Sequence, residues 1–248
     1  MDKRHYSKAP IIEALIDIQV ALPSGFTESR LAEIADSLGG KFPIRNNITA
    51  IQMQLDTGNA DDEKHHLSSS SDKLGFRLSD EINSRVLQLK KTGLTFSHLP
   101  PYTDWEHFSQ DAREYWGRFL EYCKPEKVTR CAVRYINRID IPVSPIELED
   151  YLSVYPHIPS GIPQMVNGMF LQLHLFQEDL NSTAVIKEAV VAPVIPGGFS
   201  IMLDIDLFKI TSIQPNSTEV WDTLEQLRIR KNELFESFVT DTTRELIQ

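Results

Sequence analysis

Arg130, Arg134, Arg138 and Asp140 stand at even spacing in the apolar-rich stretch Val128–Val143. In an extended strand, residues two and four apart emerge on the same face. An arginine fork on such a face can hold a carboxylate or a phosphate through two parallel hydrogen bonds. Carboxylates recur at the same spacing in two other stretches, Glu13 and Asp17 within Ile11–Leu22, and Asp204 and Asp206 within Phe199–Phe208. His174 shares a face with Gln172 in Met169–Gln177, between Phe170 and Phe176. Gln52, Gln54 and Gln88 can be placed on that face as well. The expected binding set is therefore Glu13, Asp17, Arg134, Arg138, Asp140, His174, Asp204 and Asp206.

Two chemistries fit this set. It can form a charged, aromatic-edged surface that holds a small ligand or a protein partner. Alternatively, Glu13, Asp17, Asp204 and Asp206 can hold Mg²⁺ as hard oxygen ligands, while Arg134 and Arg138 clamp the phosphate of a small molecule or nucleotide. The plainest competitor is a polar outer sheet face with compensating ion pairs, worth about 0–1 kcal/mol each when exposed. Placement favours binding, because central strands seldom carry this many ionisable groups without something meeting them. No residue is assigned a catalytic role, and no cofactor or resident metal is expected.

Other residue groups point to structure. Trp105, Trp116 and Trp221 fall on helical apolar stripes and are expected core anchors. Arg228, Arg230, Lys231 and Glu233 are expected on a solvated helix face. His98 and His107 have no Ser or Cys nucleophile pattern near them. GxSxG, P-loop, GxGxxG, HExxH and paired CxxC motifs are all missing. The polar stretch Thr57–Asp72 lacks apolar anchors and is expected to be a solvated hairpin loop, too loose for His65-His66 to bind a metal.

The 248 residues are 41% hydrophobic, enough for one large core or two small ones. A net charge of −10 disfavours nucleic acid and anionic membranes, which require clustered Lys and Arg. No apolar run reaches the roughly 20 residues that span a bilayer. The first ten residues carry no apolar run of the secretory kind, and Cys123 and Cys131 are expected to be buried free thiols. These features predict a cytoplasmic protein.

Elements positioning the charged residues follow from periodicity. A strand is expected over Ile11–Leu22 and a helix after Thr27 with Leu31, Ile34, Ala35 and Leu38 on one side. Strands follow at Asn47–Asp56, Lys73–Leu78, Arg85–Lys91 and Leu94–His98, the last pair joined at Thr92-Gly93; a helix then spans Thr103–Cys123. The second half opens with Thr129–Ile141 and a short acidic helix from Ser144 to Leu152. An irregular connector, Tyr155–Gly168, leads to strands Met169–Gln177, Thr183–Ala192 and Phe199–Phe208. A final helix over Ser217–Leu246 is capped by Asn216-Ser217-Thr218.

The element order of the first half thus recurs in the second. The expectation is α+β, a tandem pseudo-repeat of β-α-β(3–4)-α units (1–125 and 126–248). The two units would form one globular body, with helices on one face of a long antiparallel sheet. Opening strands of the two halves would then be central neighbours. An uncovered face or edge strand also invites a second copy of the chain, which leaves a homodimer open.

The order of elements resembles the TATA-binding-protein-like saddle, which implies a continuous sheet with one exposed face and, given the acidic balance here, nothing about DNA. Four segments carry a second resemblance: Ala9-Pro10-Ile11-Ile12-Glu13-Ala14, Arg134-Tyr135-Ile136-Asn137-Arg138-Ile139-Asp140-Ile141-Pro142, Leu203-Asp204-Ile205-Asp206, and Leu227-Arg228-x-x-Lys231-Asn232-x-x-Phe235-Glu236. In these the chain resembles an uncharacterised, sporadically distributed prokaryotic family of about this length. That resemblance brings no catalytic residues. The Mg²⁺ alternative resembles the logic of triphosphate-tunnel enzymes, whose amino-terminal Glu-x-Glu-x-Lys is missing here.

Overall fold

The computed structural model describes residues 6–56 and 66–248, with side chains for all of these except 51–71. Its strands are β1 (Ile11–Ala21), β2 (Ile44–Asp56), β3 (His66–Ser79), β4 (Arg85–Lys90), β5 (Gly93–His98), β6 (Lys127–Ile141), β7 (Phe170–Gln177), β8 (Ser182–Val191) and β9 (Phe199–Ile213). All nine join one antiparallel sheet in the order β2-β3-β4-β5-β1-β6-β9-β8-β7. The helices are α1 (Ser29–Ser37), α2 (Trp105–Cys123), α3 (Glu219–Phe238) and α4 (Asp241–Leu246). The chain is α+β. Among the described residues no helix is long and apolar enough to cross a membrane.

Period-two alternation decides the two faces of the sheet. Ala14, Ile16 and Ile18 of β1, Val133, Tyr135 and Ile139 of β6, and Leu203, Ile205 and Leu207 of β9 are buried on the face that carries the helices. There Phe96 of β5 stacks on Phe108 of α2 at 5.4 Å and meets Tyr115 edge-on at 5.0 Å. α3 lies against β6 and β9. Asp104 caps α2 by accepting the His107 amide at 2.8 Å, and Lys124 ends the helix in a left-handed conformation just before Pro125. Gly93 lets β5 approach β1, since a Cβ there would sit 2.0 Å from the Ile18 oxygen.

Several expectations are corrected. The acidic helix over Ser144–Leu152 is only a single 3₁₀ turn, Leu148–Asp150. The final helix is broken at Val239 and Thr240. Val239 leaves it to form an isolated bridge with Leu152, and the Thr240 hydroxyl caps α4 by accepting the Thr243 amide. β3 starts at His66, inside the expected loop, and the turn between β4 and β5 is Lys91-Thr92. Residues 57–65, His65 among them, and the side chains of Gln52, Gln54 and His66 lie outside the described residues. Trp116 and Trp221 are buried, whereas Trp105 is half-buried.

The largest correction concerns α3. Lys231 is buried with its amine 3.6 Å from the centre of the Tyr135 ring, and Arg228 lies over Trp105 and pairs with Glu225. Arg230 reaches down to Gln177 and Asp179 at the end of β7. An expected solvated face is therefore an interface. Aliphatic stems of Lys and Arg cover apolar surface well, which periodicity of apolar residues does not register.

Two ionisable groups on the helix-covered side give stability a pH dependence. Glu188 of β8 is 1% exposed, and among the described residues neither carboxylate oxygen has a hydrogen-bond partner. Burial pushes its pKa from 4.5 to about 7. The folded chain then holds more protons than the unfolded one between these values, so this contribution is full below pH 4.5 and is lost as pH rises through 7. Burial, reinforced by Arg228, lowers Lys231 from 10.5 to about 7, against the opposing pull of the Tyr135 ring. Its sign is opposite, with stability rising between pH 7 and 10.5. Glu188→Gln should therefore raise the melting temperature at pH 8 by several degrees, at about 2–4 °C per kcal/mol, and change it little at pH 4.5. Thermal melts across pH check this, and an identical gain at both pH values would contradict a neutral Glu188.

Candidate functional site

The open face is built on the pairing of β1 with β6, where Leu15 lies opposite Arg134 and Gln19 opposite Arg130. β9 flanks β6 on the other side, with Asp206 opposite Arg134 and Asp204 opposite Ile136. The even-numbered positions of β6 from Arg130 to Asp140 and of β9 from Ser200 to Phe208 emerge on this face, away from the helices. Cross-strand diagonals are within reach of an arginine side chain. The Arg134–Asp204 and Arg130–Asp17 pairs use those diagonals, whereas Arg138 pairs with Asp140 two residues along its own strand.

Three arginines each hold a carboxylate. Arg134 donates to Asp204 through Nε at 2.8 Å and Nη2 at 2.7 Å, a two-pronged contact, and Lys187 of β8 approaches the same carboxylate at 3.5 Å. Asp204 is 1% exposed beneath them. Arg130 donates to Asp17 at 2.6 Å, with Asp206 at 3.5 Å and the Phe208 ring centre 4.6 Å away. Thr95 of β5 completes Asp17 with a hydroxyl donated at 2.7 Å. Arg138 donates to Asp140 at 3.1 Å, and the buried Ser200 hydroxyl donates to the other oxygen at 2.6 Å. Beside Ser200, a groove of about 360 Å³ opens between Ser144, Asn167, Val190, Val191 and Phe199.

Electrostatics follow the contacts. The hydrogen bonds that Arg134 donates to Asp204 raise its pKa, with burial opposing this and the charges of Asp204, Asp206 and Glu13 adding to it. Burial raises Asp206 above the usual carboxylate range, with Arg130 and Arg134 pulling it down.

The expected residues are placed as follows. Glu13, Asp17, Arg134, Arg138, Asp140, Asp204 and Asp206 share the open face around β6. Asp17 pairs with Arg130 rather than with Arg134 or Arg138, and Glu13 makes no hydrogen bond or ion pair among the described residues. His174 stands apart on β7, in the same cross-sheet row as Asp206 with Val185 between them, and its Nε2 meets the Gln172 amide nitrogen at 2.7 Å. Arg130, Lys187, Thr95 and Ser200 were absent from the expected binding set. Arg130 continues the even spacing of β6, and Lys187 and Thr95 occupy the polar alternation of β8 and β5. The signal was present for these three, whereas Ser200 shows itself only through the β6–β9 register.

Among the described residues, no group of three or more His, Cys, Asp and Glu side chains is placed to share a metal ion. The arrangement can present arginine edges and the Glu13 carboxylate, unpaired among the described residues, to something lying across three central strands. Comparison with protein-family models and with the sequences of curated proteins returns no match.

The burial of these pairs separates their energetics. Arg134→Ala leaves Asp204 charged beneath the sheet surface with only Lys187 nearby, and should cost about 2–4 kcal/mol. Arg138 is about as exposed as Arg134, but its partner Asp140 is 26% exposed where the Asp204 side chain is 2% exposed, so Arg138→Ala should cost less than about 1 kcal/mol. Urea unfolding of the two variants measures both, and equal costs would mean that burial of Asp204 is not what makes its pair matter.

Proposed function

We propose that the protein is a non-enzymatic binding protein, and that it takes a protein segment or small ligand on the open sheet face. What carries this reading is the concentration of Arg130, Arg134 and Arg138 on one central strand, over carboxylates from three strands, on a face that the four helices leave uncovered. Arg134 keeps one terminal nitrogen beyond those that bind Asp204, and Arg138 keeps both of its own beyond the Nε that binds Asp140. Those donors, with Glu13 across the strand, suit a ligand bearing both donors and acceptors.

We also infer that the halves are fused copies of one unit, as in the TATA-binding-protein-like saddle. Supporting this, β1 and β6 sit together at the centre, and each is reached from outside by an antiparallel meander, β2 to β5 on one side and β7 to β9 on the other. The second half has one strand fewer, and a 3₁₀ turn where the first has α1.

The capture reading is tested by Glu13→Lys combined with Arg138→Glu, which reverses the exposed charges and leaves the Arg134–Asp204 pair in place. Peptides selected from a random display library against the wild type should lose at least tenfold in affinity for the double variant. Undiminished binding would remove the open face as the site.

The Mg²⁺ and phosphate reading requires Asp17 and Asp204 to exchange their present partners for a metal, since their oxygens already accept from Thr95, Arg130 and Arg134. A panel of nucleoside triphosphates with Mg²⁺ should therefore leave the melting temperature unchanged. A ligand at 100 times its dissociation constant would add about 2.7 kcal/mol, and a shift of that size would favour the enzyme reading.

A further inference from the structure

The sheet ends at β7, and three features of that edge point to one occupant. The first is charge. In a chain that is 24% charged, the run from Tyr151 to Gln177 contains no Asp, Glu, Lys or Arg, and neither does Ala189–Leu203 beside it. Natural edge strands are ordinarily guarded by charge or proline, and β7, Phe-Leu-Gln-Leu-His-Leu-Phe-Gln, has neither. Exposed aromatic side chains stand on the strand instead, Phe170 at 67% and Phe176 at 62%. Depletion of charge with enrichment in aromatic residues and Met marks the core of protein interfaces.

The second feature is the backbone. The Val190 amide donates to the Met169 oxygen at 3.0 Å, and these residues lie directly opposite when the β7–β8 register is extended by one position. Direct exchange of this kind occurs at alternate positions of an antiparallel ladder. Odd-numbered residues of β7 therefore bond to β8, and the N–H and C=O groups of Phe170, Gln172, His174 and Phe176 point to the free edge. Among the described residues no other strand pairs with them.

The third is self-complementarity. From Phe170 to Phe176 the strand reads nearly the same in both directions, with Leu173 at its centre. A two-fold axis through Leu173, perpendicular to the sheet, sets Phe170 opposite Phe176 of a second copy and Gln172 opposite its His174. Both are hydrogen-bonding pairs, as the outward even-numbered groups require. On the helix side Leu171 meets Leu175 of the second copy, and Leu173 meets its own equivalent. The chemical pairing and the backbone phase select the same register, which is independent of what the open face binds.

We propose that β7 is a homodimer edge, where two copies pair antiparallel about Leu173 into one continuous sheet with both open faces on the same side. Light scattering on the full chain should give twice the 28.3 kDa of one copy. Phe170→Lys with Phe176→Lys, and separately Phe170→Glu with Phe176→Glu, should each give folded single copies with one cooperative melt that no longer depends on protein concentration, because like charges then face each other. Mixing the two variants should restore the doubled mass, and Phe170→Lys with Phe176→Glu in one chain should dimerise by itself. A wild type of 28.3 kDa at every concentration, or like-charge variants that stay paired, would overturn the proposal. Failure of the mixture to recombine would overturn the register and with it the two-fold at Leu173. A wild type that is a single copy but captures unrelated extended peptides on this edge would assign the strand to a different occupant and count against the dimer.

Discussion

The antiparallel pairing of β1 with β6 is the constraint from which the rest of the architecture follows. It joins two meanders that would otherwise be separate sheets, and it places the heavily charged β6 next to the middle strand of nine. Because alternation is strict, the register that buries Ile16 and Val133 under the helices also turns Asp17 and Arg130 outward. A slip by one residue would bury the charges and expose the core. Register and charge pattern therefore enforce each other.

Desolvation explains how the charged face is organised. Asp204 is almost inaccessible, yet it lies on the uncovered side of the sheet, because Arg134 and Lys187 close over it. An ionised carboxylate in that position is tolerated only with good geometry, which the two-pronged Arg134 contact supplies. Asp17 is treated similarly with a hydroxyl and a guanidinium. Much of the charge here is thus committed to holding neighbouring strands in register, and what remains for an incoming molecule is the outer edges of the arginines and Glu13. The groups that fix the sheet and the groups that can bind are largely different atoms of the same side chains.

Strand periodicity made the fold and most of the face legible. Even spacing in β6 and β9 identified Arg134, Arg138, Asp140, Asp204 and Asp206 as co-facial, and the apolar stripes of α2 identified its buried side. What periodicity could not supply was the pairing within the face, because a partner on a cross-strand diagonal depends on register. Asp17 therefore meets Arg130. Polar residues buried on the helix side were also hidden. Glu188 interrupts an otherwise apolar face of β8, and Lys231 sits on an α3 surface whose charges resemble those of a solvated helix. In both cases tertiary packing overrode a local pattern. The broken final helix has the same origin, since Val239 is drawn out of it by the distant Leu152.

The distribution of charge narrows what the open face can meet. The whole chain carries −10, whereas this face sets Arg130, Arg134, Arg138 and Lys187 against Glu13, Asp17, Asp140, Asp204 and Asp206, which nearly cancel. The acidic surplus therefore lies elsewhere and acts at a distance, while the face acts at contact. Beyond a Debye length of roughly 8 Å that surplus is screened, but during approach it still disfavours extended polyanions and favours neutral or cationic molecules. At contact the arginine edges favour carboxylate or amide oxygen. A segment with mixed charge, or a polar peptide backbone, satisfies both conditions.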